Sequence, residues 1–464
     1  METSLINSDT DFNSLLADLE NIIYQKAIEW AKETYRDILK YLDDQIKEKR
    51  SKNYAIVRTG EAWHVTKFGT VRIKRRYYRN EDGTYHFLLD ELMGMDKHRH
   101  TTQYVKKLAL DMAGVMPYRR SSEIIDKTTP ISLSHQTIHR IVAKVADDCL
   151  IRQDAVLNRF KETGELPDCE NKVNDRIVIE ADGVMLSLQR GSRRKVEAKL
   201  GITYEGWKKV GENRYKTDNK SVYGDIVNSD TFWSAMTLKL SRQYDLSSVS
   251  HMVLGGDGAG WIREGAEYFG SCYQLCRFHL NRALTRTLGY DSETLKSIRD
   301  SLIKGDPAAI FSLLDNAANS AKGDKRIDIK KLSNYLSSNL SGLKIYPKVD
   351  SEWRGTGAIE GNIDKFIARR MKNQGMSWSV QGIRRMLWLR IAIYENKLDE
   401  YLAAKPDTAS PYKLPNKTIR KVVDKKLKRD YTQYFNAGLP AVTGPDSSKL
   451  WVKILKNIVE GPMI

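Results

Sequence analysis

The sequence lacks the apolar runs, leader segment and cysteines that mark membrane and secreted proteins. No stretch approaches the ~18–20 apolar residues that cross a bilayer, and Met1–Asn7 has no charged segment leading into an apolar one. Four cysteines in 464 residues are too few for a disulfide framework. These absences predict a cytoplasmic protein that has no membrane partner.

A nucleotide-binding loop is also missing. The glycines around Asp257 resemble a phosphate cradle, but the Gly-Lys-Ser/Thr end of a P-loop does not follow them. ATP binding is therefore not expected, and no small-molecule substrate is predicted. The glycines more simply allow a tight turn from a strand into a helix.

Length and charge indicate several folded units and a polyanionic partner. A chain of 464 residues exceeds one domain of ~100–200 residues. The formal net charge is +17, and its distribution is uneven: residues 361–430 hold 17 basic and 7 acidic side chains, whereas residues 1–50 hold 7 and 11. A segregated basic excess favours nucleic acid over a merely solvated surface.

The N-terminal part reads as a long helix followed by a basic β-hairpin. Apolar residues recur every three or four positions from Asp11 to Lys49, which predicts an amphipathic helix that pairs with a second copy or packs within its own domain. Strands are predicted over residues 65–68, 71–79 and 84–89. The middle strand carries five cations, which suit either a phosphate backbone or protection of a sheet edge: Arg72, Lys74, Arg75, Arg76 and Arg79.

Residues 119–144 have the rhythm of a helix-turn-helix. A short helix is predicted before Pro130, and a second from His135 to about Asp148, capped by Ser132 or Ser134. The second helix has an apolar stripe that faces inward. The outward positions near the N-terminus of this helix are therefore those that a recognition helix presents to bases. These positions are His135, Gln136, His139 and Arg140. A helix pair without DNA contacts fits the same spacing.

From Val173 to Leu280 the pattern changes to α/β. Strands are predicted over residues 176–188 and 196–207, and a third strand or a helix over 232–240. Strands then alternate with helices, which predicts a mixed sheet with helices on its faces. Residues 291–344 read as helical and interrupt this unit.

Three carboxylates stand where a sheet-based metal site needs them. Asp182 ends one β-run, Asp257 lies at the tip of another, and Glu360 is near the start of a later helix. Acids at neighbouring strand ends converge at one edge of a sheet and offer the oxygen ligands that Mg²⁺ prefers. Spacing alone does not decide which acids bind the metal. Glu180 faces the same way as Asp182 on a strand, and Asp364 shares a helix face with Glu360.

Four strings occur in order along the chain: I-E-A-D-G-V around Asp182, G-G-D-G-A-G-W-I around Asp257, C-R-F-H-L-N-R from Cys276, and G-A-I-E-G-N-I-D followed by R-R-M-K-N-Q-G-M-S-W. Together they resemble the DDE transposases of the ISLre type, an insertion-sequence family related to the mutator-like transposases. The resemblance runs from about Gly60 to Asn396. It implies an α/β, RNase-H-like mixed-sheet catalytic core with an all-helical insertion between the second Asp and the Glu.

The resemblance also implies roles for individual residues. Asp182, Asp257 and Glu360 correspond to the catalytic triad and hold two Mg²⁺ or Mn²⁺ ions. Cys276-Arg277-Phe278-His279 matches a Cys-x-x-His motif of relatives, in which His279 positions a phosphate or a flipped base, or transfers a proton. Two alternatives stay open: a strand-end histidine bonded to a backbone carbonyl, and zinc held by Cys272, Cys276 and His279 with distant Cys169.

Cations follow the last motif. Arg369, Arg370 and Lys372 suit a DNA strand that enters the site, although some of them can pair with Asp364 or with helix carbonyls. The predicted domains are residues 1–50 (amphipathic helix, with dimerisation as one of its two alternatives), 51–150 (DNA binding), 170–290 with 345–400 (catalytic core), 291–344 (helical insertion) and 401–464 (basic tail).

The resemblance therefore implies a nucleoid-associated DNA transposase. It cleaves the ends of its element and joins each 3′-hydroxyl to target double-stranded DNA, as a homodimer or larger assembly. Two alternatives are a metal-dependent nuclease without strand transfer and a non-catalytic DNA-binding protein derived from a transposase.

Overall fold

The chain divides into two compact units. The computed structural model describes residues 12–95, 100–166, 172–190, 194–343, 356–372 and 375–403. One unit contains the chain up to Thr102, and the other is Gln103–Ala404. The predicted helix-turn-helix thus falls in the unit of the α/β sheet, and the predicted basic tail lies almost wholly outside the described residues. No helix within these ranges has the length and apolarity that crossing a membrane requires.

The first unit packs one long helix on a small antiparallel sheet. Its elements are α1 (Phe12–Lys49), β1 (Tyr54–Thr66), β2 (Gly69–Asn80), β3 (Tyr85–His86) and α2 (Leu88–Leu92). The predicted helix and the middle strand are confirmed, but β1 begins 11 residues before the predicted start at Val65, and the turn falls within the predicted strand, at Lys67 and Phe68. The third strand is only two residues long because the chain enters α2 at Leu88. Leu42 and Ile46 of α1 are buried against Val71 and Ile73 of β2.

The two halves of α1 differ in their surroundings. The C-terminal half packs within its own unit, whereas Leu19, Ile22 and Ile23 in the N-terminal half are exposed. The first half of the helix therefore keeps the apolar face on which the predicted dimer depends. Pairing with a second copy stays a prediction.

The second unit begins with three helices: α3 (Gln103–Val115), α4 (Tyr118–Thr128) and α5 (His135–Thr163). Ser134 caps α5, since its hydroxyl accepts the backbone N–H of Thr137 at 3.2 Å. The helix pair is confirmed, but α5 runs 15 residues past the predicted end at Asp148, because buried Cys149, Leu150 and Leu157 continue its inward stripe.

The sheet of the second unit is mixed. The strands are β4 (Arg176–Ser187), β5 (Lys195–Tyr204), β6 (Gly206–Gly211), β7 (Arg214–Asp218), β8 (Ser221–Asp225), β9 (His251–Gly256) and β10 (Cys272–Leu275). Five of them pair in the order β10-β9-β4-β5-β8. β5 is antiparallel to β4 and β8, whereas β9 is parallel to β4 and β10. The predicted mixed α/β sheet is confirmed; β6 and β7 form a separate hairpin that the sequence analysis did not distinguish.

Helices connect and follow these strands. They are α6 (Ser229–Ser241), α7 (Gly260–Tyr268), α8 (Arg277–Leu288), α9 (Ser292–Lys304), α10 (Pro307–Ser320), α11 (Asp324–Ser338), α12 (Ile359–Ile363), α13 (Arg369–Met371), α14 (Val380–Tyr394) and α15 (Leu398–Ala403). Short 3₁₀ turns cover Leu246–Ser248 and Leu340–Leu343, and a π turn, Asp364–Ala368, joins α12 to α13. The segment 232–240 is therefore helical. The predicted insertion is confirmed as helical over α9–α11, which share an apolar core with α8.

Close packing of α7 on α6 supports one face of the sheet. Trp233 and Phe232 of α6 are fully buried beside Leu254 of β9 and Ile262 of α7. The helices approach so closely that a β-carbon added at Gly265 would lie 2.2 Å from the Trp233 ring. Gly265 is thus required by packing, despite the low helix propensity of glycine.

We expect Gly265→Ala to destabilise the protein by about 1–3 kcal/mol, because the added methyl group overpacks the Trp233 contact. Gly260→Ala in the same helix is the matched control, since nothing lies within 4 Å of its β-carbon. Thermal unfolding should show a lower midpoint for the first variant only. Equal midpoints for the two variants would contradict the described packing.

Candidate active site

Asp182 lies within β4, five residues before the end of that strand and not at the predicted strand end, whereas Asp257 directly follows β9. The parallel register of β4 and β9 pairs Glu180 with Gly255, so the two aspartates, each two residues further along, are neighbours. Asp182 is 8% exposed. Burial first, and then the charges of Asp257 and Glu360, together raise the pKa of Asp182 to about 7 against the opposing effect of the Gly183 N–H. The site is therefore rich in negative charge.

A tight turn holds Asp257 where the chain leaves β9. Its Oδ1 accepts the backbone N–H of Ala259 at 2.9 Å, and its carbonyl accepts the Tyr335 hydroxyl at 2.7 Å. Gly258 has a φ of 98°, and a β-carbon there would come within 3 Å of Asn339. Tyr335 belongs to α11, so the helical insertion supports the backbone of this acid.

Glu180 connects β4 to the helix that carries Glu360. Its Oε2 accepts the backbone N–H groups of Gly357 and Ile359 at 2.9 and 3.0 Å, and its Oε1 accepts that of Ala358 at 3.1 Å. The Tyr204 hydroxyl also donates to Oε1. Burial raises the pKa of Glu180, and these bonds oppose that shift. Glu180 thus caps the N-terminus of α12. Its oxygens are occupied by these hydrogen bonds, so Glu180 is neither placed as a metal ligand nor an inward-facing acid without partners.

Glu360 also meets the Cys-x-x-His motif. Cys276 is the N-cap of α8, and His279 lies in the first turn of this helix and not at the end of a strand. Nδ1 of His279 is 3.1 Å from Oε1 of Glu360, and Sγ of Cys276 is 3.9 Å from the same oxygen. Burial raises the pKa of the Cys276 thiol to about 11. The three ligand atoms lie within 4.8 Å of one another.

The zinc alternative takes a different form from the predicted one. Exposed Cys272 is not a member of this group, and Cys169 lies outside the described residues. Neither is the histidine simply bonded to a carbonyl, because its Nδ1 has no hydrogen-bond partner among the described residues. Glu360 thus takes the place of Cys272 beside Cys276 and His279, and Nδ1 of His279 faces its carboxylate.

The three acids are near enough for their charges to interact, but their oxygens are not drawn into one tight group. Among the described residues, the sets of ligand atoms that lie within 4.8 Å of one another are Cys276, His279 and Glu360, and a second set in the first unit. Like charges repel when no cation lies between them. The carboxylates of buried Asp182 and of half-buried Asp257 and Glu360 are the oxygen ligands that Mg²⁺ and Mn²⁺ prefer, so the donor set fits such ions.

The cations of β2 fall into two classes. Arg72, Lys74 and Arg79 are exposed, and Arg72 pairs with Glu61. Arg75 is 4% exposed and donates to Asp90 at 2.6 Å. Arg76 is bonded to Asp43 and Asp44 of α1. The structure thus exposes Lys74 and Arg79, engages Arg72 in a surface ion pair, and engages Arg75 and Arg76 in ion pairs inside the unit.

The cations that follow Glu360 in the sequence also divide into exposed and buried side chains. Lys372 is exposed, and Arg369 pairs with Asp364 at 2.5 Å on the surface. Arg370 is buried and donates to the carbonyl of Ala113, so it has a structural role in this arrangement. On α5, the outward positions of Gln136, His139 and Arg140 are confirmed as exposed.

The fold and site describe a two-unit α/β protein with an acidic edge on a mixed sheet. The chain belongs to UPF0236, an uncharacterised protein family, whose model matches residues 10–400. A UPF0236 protein of Caldanaerobacter subterraneus subsp. tengcongensis is 26% identical over 434 residues, which cover 90% of this chain and 87% of the relative.

Two further relatives differ in genomic setting. Another protein of that organism is 28% identical over 84% of this chain and 81% of its own length, and its name joins eleven locus designations. A Streptococcus gallolyticus protein is described as lying in the vanSb 3′ region. It is 27% identical over 70% of this chain and 71% of its own length.

We expect Glu180→Gln to loosen the start of α12, because an amide accepts backbone N–H groups more weakly than a carboxylate does. Loss of about 1.5–3 kcal/mol at this cap should speed amide exchange at residues 357–359 by about 10- to 100-fold. Hydrogen exchange measured by mass spectrometry checks this. Exposed Glu264→Gln is the matched control, and unchanged exchange in Glu180→Gln would contradict the capping role.

Proposed function

We propose that this protein is a metal-dependent DNA transposase with an RNase-H-like core. The observation that carries the proposal is the meeting of Asp182, Asp257 and the helix of Glu360 at one sheet edge, from three motifs that resemble those of ISLre-type transposases. The proposed reaction hydrolyses a phosphodiester at each element end and leaves a 3′-hydroxyl. The oxygen of that hydroxyl then attacks a target phosphorus and displaces the 3′-oxygen of the target strand in one step, without a covalent protein intermediate.

The architecture supports the RNase-H-like reading. Three antiparallel strands come first in the chain and two parallel strands with helices follow, with β4 at the centre of the sheet. A helical insertion with its own apolar core separates Asp257 from Glu360, as the resemblance implies.

The acids and their supports have distinct proposed roles. Asp182, Asp257 and Glu360 hold two Mg²⁺ or Mn²⁺ ions, which when bound activate the attacking oxygen and stabilise the leaving one. Glu180 holds the helix of Glu360 in place, and Tyr335 holds the backbone of Asp257. We propose that His279 orients Glu360 through their 3.1 Å contact and faces the scissile phosphate.

The relatives and the charge distribution also favour this reading. A family member whose name joins eleven loci in one genome is what a dispersed mobile element produces. The net charge of +17 suits a DNA partner. Exposed Arg72, Lys74, Arg79, Gln136, His139, Arg140 and Lys372 are the proposed DNA contacts. Joining two ends at once requires at least two protomers.

We expect Asp182→Asn, Asp257→Asn and Glu360→Gln each to reduce strand cleavage and joining by at least about 100-fold, because each removes a negative ligand of the divalent ions that would stabilise the transition state. Asp364→Asn is the matched control, since this acid pairs with Arg369 on the surface. The assay combines the full chain, Mg²⁺, labelled DNA from both flanks of the gene, and a target plasmid.

Each alternative function gives a different result in this assay. Cleavage without joined products indicates a nuclease. DNA binding that is identical in wild type and Asp182→Asn, with neither product formed, indicates a non-catalytic DNA-binding protein. Either result contradicts the transposase proposal.

Replacing Lys74 and Arg79 with alanine should weaken DNA binding equally for all sequences, because phosphates are common to all of them. Removing one cation that binds a phosphate lowers the slope of log K against log salt by about 0.9, so the double variant should lower it by about 1.8. Lys40→Ala, an exposed lysine on α1, is the control. A salt slope equal to that of wild type would remove β2 from the DNA interface.

A further inference from the structure

A second group of metal-ligand atoms lies in the first unit, and the proposed transposase reaction does not use it. His64 of β1, Asp90 of α2 and His100 each offer one ligand atom, and these atoms lie within 4.8 Å of one another. His64 and Asp90 are 0% and 6% exposed. The group therefore sits in the interior of the unit.

Backbone pairing explains why the two histidines meet. The N–H of Val65 donates to the carbonyl of His100 at 2.8 Å, and the N–H of Thr102 donates to the carbonyl of Val65 at 3.1 Å. His100 thus runs alongside β1, and its ring stacks on that of His64 with centroids 5.3 Å apart. Nε2 of His64 is 3.9 Å from Oδ1 of Asp90, and Nδ1 of His100 is 3.8 Å from Oδ2.

Two atoms that point into the group lack a protein partner. Nε2 of His64 and Oδ1 of Asp90 are buried and make no hydrogen bond within the described residues. A buried polar atom without a hydrogen-bond partner is unfavourable, so such atoms usually bind a water molecule or an ion. The 3.9 Å between these atoms is too long for a direct hydrogen bond.

The remaining polar atoms orient these two ligands. The Tyr35 hydroxyl lies 3.2 Å from Nδ1 of His64, and Nε of Arg75 donates to Oδ2 of Asp90 at 2.6 Å. When Nδ1–H of His64 donates to Tyr35, the lone pair of Nε2 points into the group. Metal-binding histidines and carboxylates typically have such outer partners.

We propose that His64, His100 and Asp90 form a site for a borderline divalent transition-metal ion, with Zn²⁺ as the foremost candidate. Two imidazoles and one carboxylate are a donor set of three-ligand zinc sites, in which water completes the coordination. Nitrogen donors disfavour Mg²⁺. Arg75 and Asp90 carry opposite charges, so they add no net charge to the site. The net charge of the metal-bound site is therefore that of the ion, as in zinc sites made of neutral imidazoles.

The ion would tie together three segments of the first unit: β1, α2 and the stretch at His100. Such a site would be independent of the proposed catalytic acids, which belong to the second unit.

Metal titration of the full chain tests the proposal. The protein is stripped with a chelator and titrated with Zn²⁺, and in parallel with Co²⁺, whose visible absorption reports the ligand set. We expect the wild type to bind one equivalent at this site and His64→Ala to lose it. Tyr35→Phe keeps all three ligands and should weaken binding by about 10- to 100-fold.

Two controls separate this site from others. His86→Ala removes a histidine of the same unit that is bonded to Glu91, and it should bind as the wild type does. His279→Ala removes the motif next to Glu360 and should leave the His64-dependent equivalent intact. If His64→Ala does not fold, Tyr35→Phe carries the test. The proposal is overturned if the wild type does not bind the metal. It is also overturned if folded His64→Ala or Tyr35→Phe binds the metal as the wild type does. In either case the group holds a buried water.

Discussion

The buried carboxylate of Glu180 is the interaction on which the rest of the candidate site depends. A buried charge is costly unless hydrogen bonds satisfy it. Here three backbone N–H groups at the start of α12 and one tyrosine hydroxyl do so. The acid thereby joins the central strand to a helix about 180 residues away in the chain. Asp182 lies two residues further along the same strand, so this bond also fixes Glu360 relative to Asp182.

The helical insertion contributes to the site as well as separating its parts. Helices α9–α11 share a core with α8, the helix that begins with the Cys-x-x-His motif. From this platform Tyr335 reaches the carbonyl of Asp257, and Asn339 crowds Gly258. The insertion thus supports the turn of the second acid. Burial and like charges at this edge leave Asp182 with a raised pKa, and a bound cation relieves that repulsion.

Local patterns predicted the elements, whereas the partners of buried charges required the tertiary structure. Periodicity located α1, and the hydroxyl of Ser134 located the start of α5. The strand predicted over 84–89 exists but covers only Tyr85–His86, because α2 begins at Leu88, and the end of α5 was missed because its stripe continues. Alternation along β2 already places Arg75 on the inward face of Val71 and Ile73, but only the fold reveals Asp90 as its partner. Glu180 gave no sequence signal for its capping role, since its partners are distant in sequence.

The central claim is that Asp182, Asp257 and Glu360 share divalent ions. Its most direct test is a crystal structure of the full chain soaked with Mn²⁺, with the anomalous signal used to locate the metal. We expect two Mn²⁺ peaks whose carboxylate ligands come from all three acids. The metal–oxygen distances should be about 2.0–2.2 Å, as for hard divalent ions. Peaks that Asp182 and Asp257 do not share, or a site held by Cys276 and His279 alone, would contradict it.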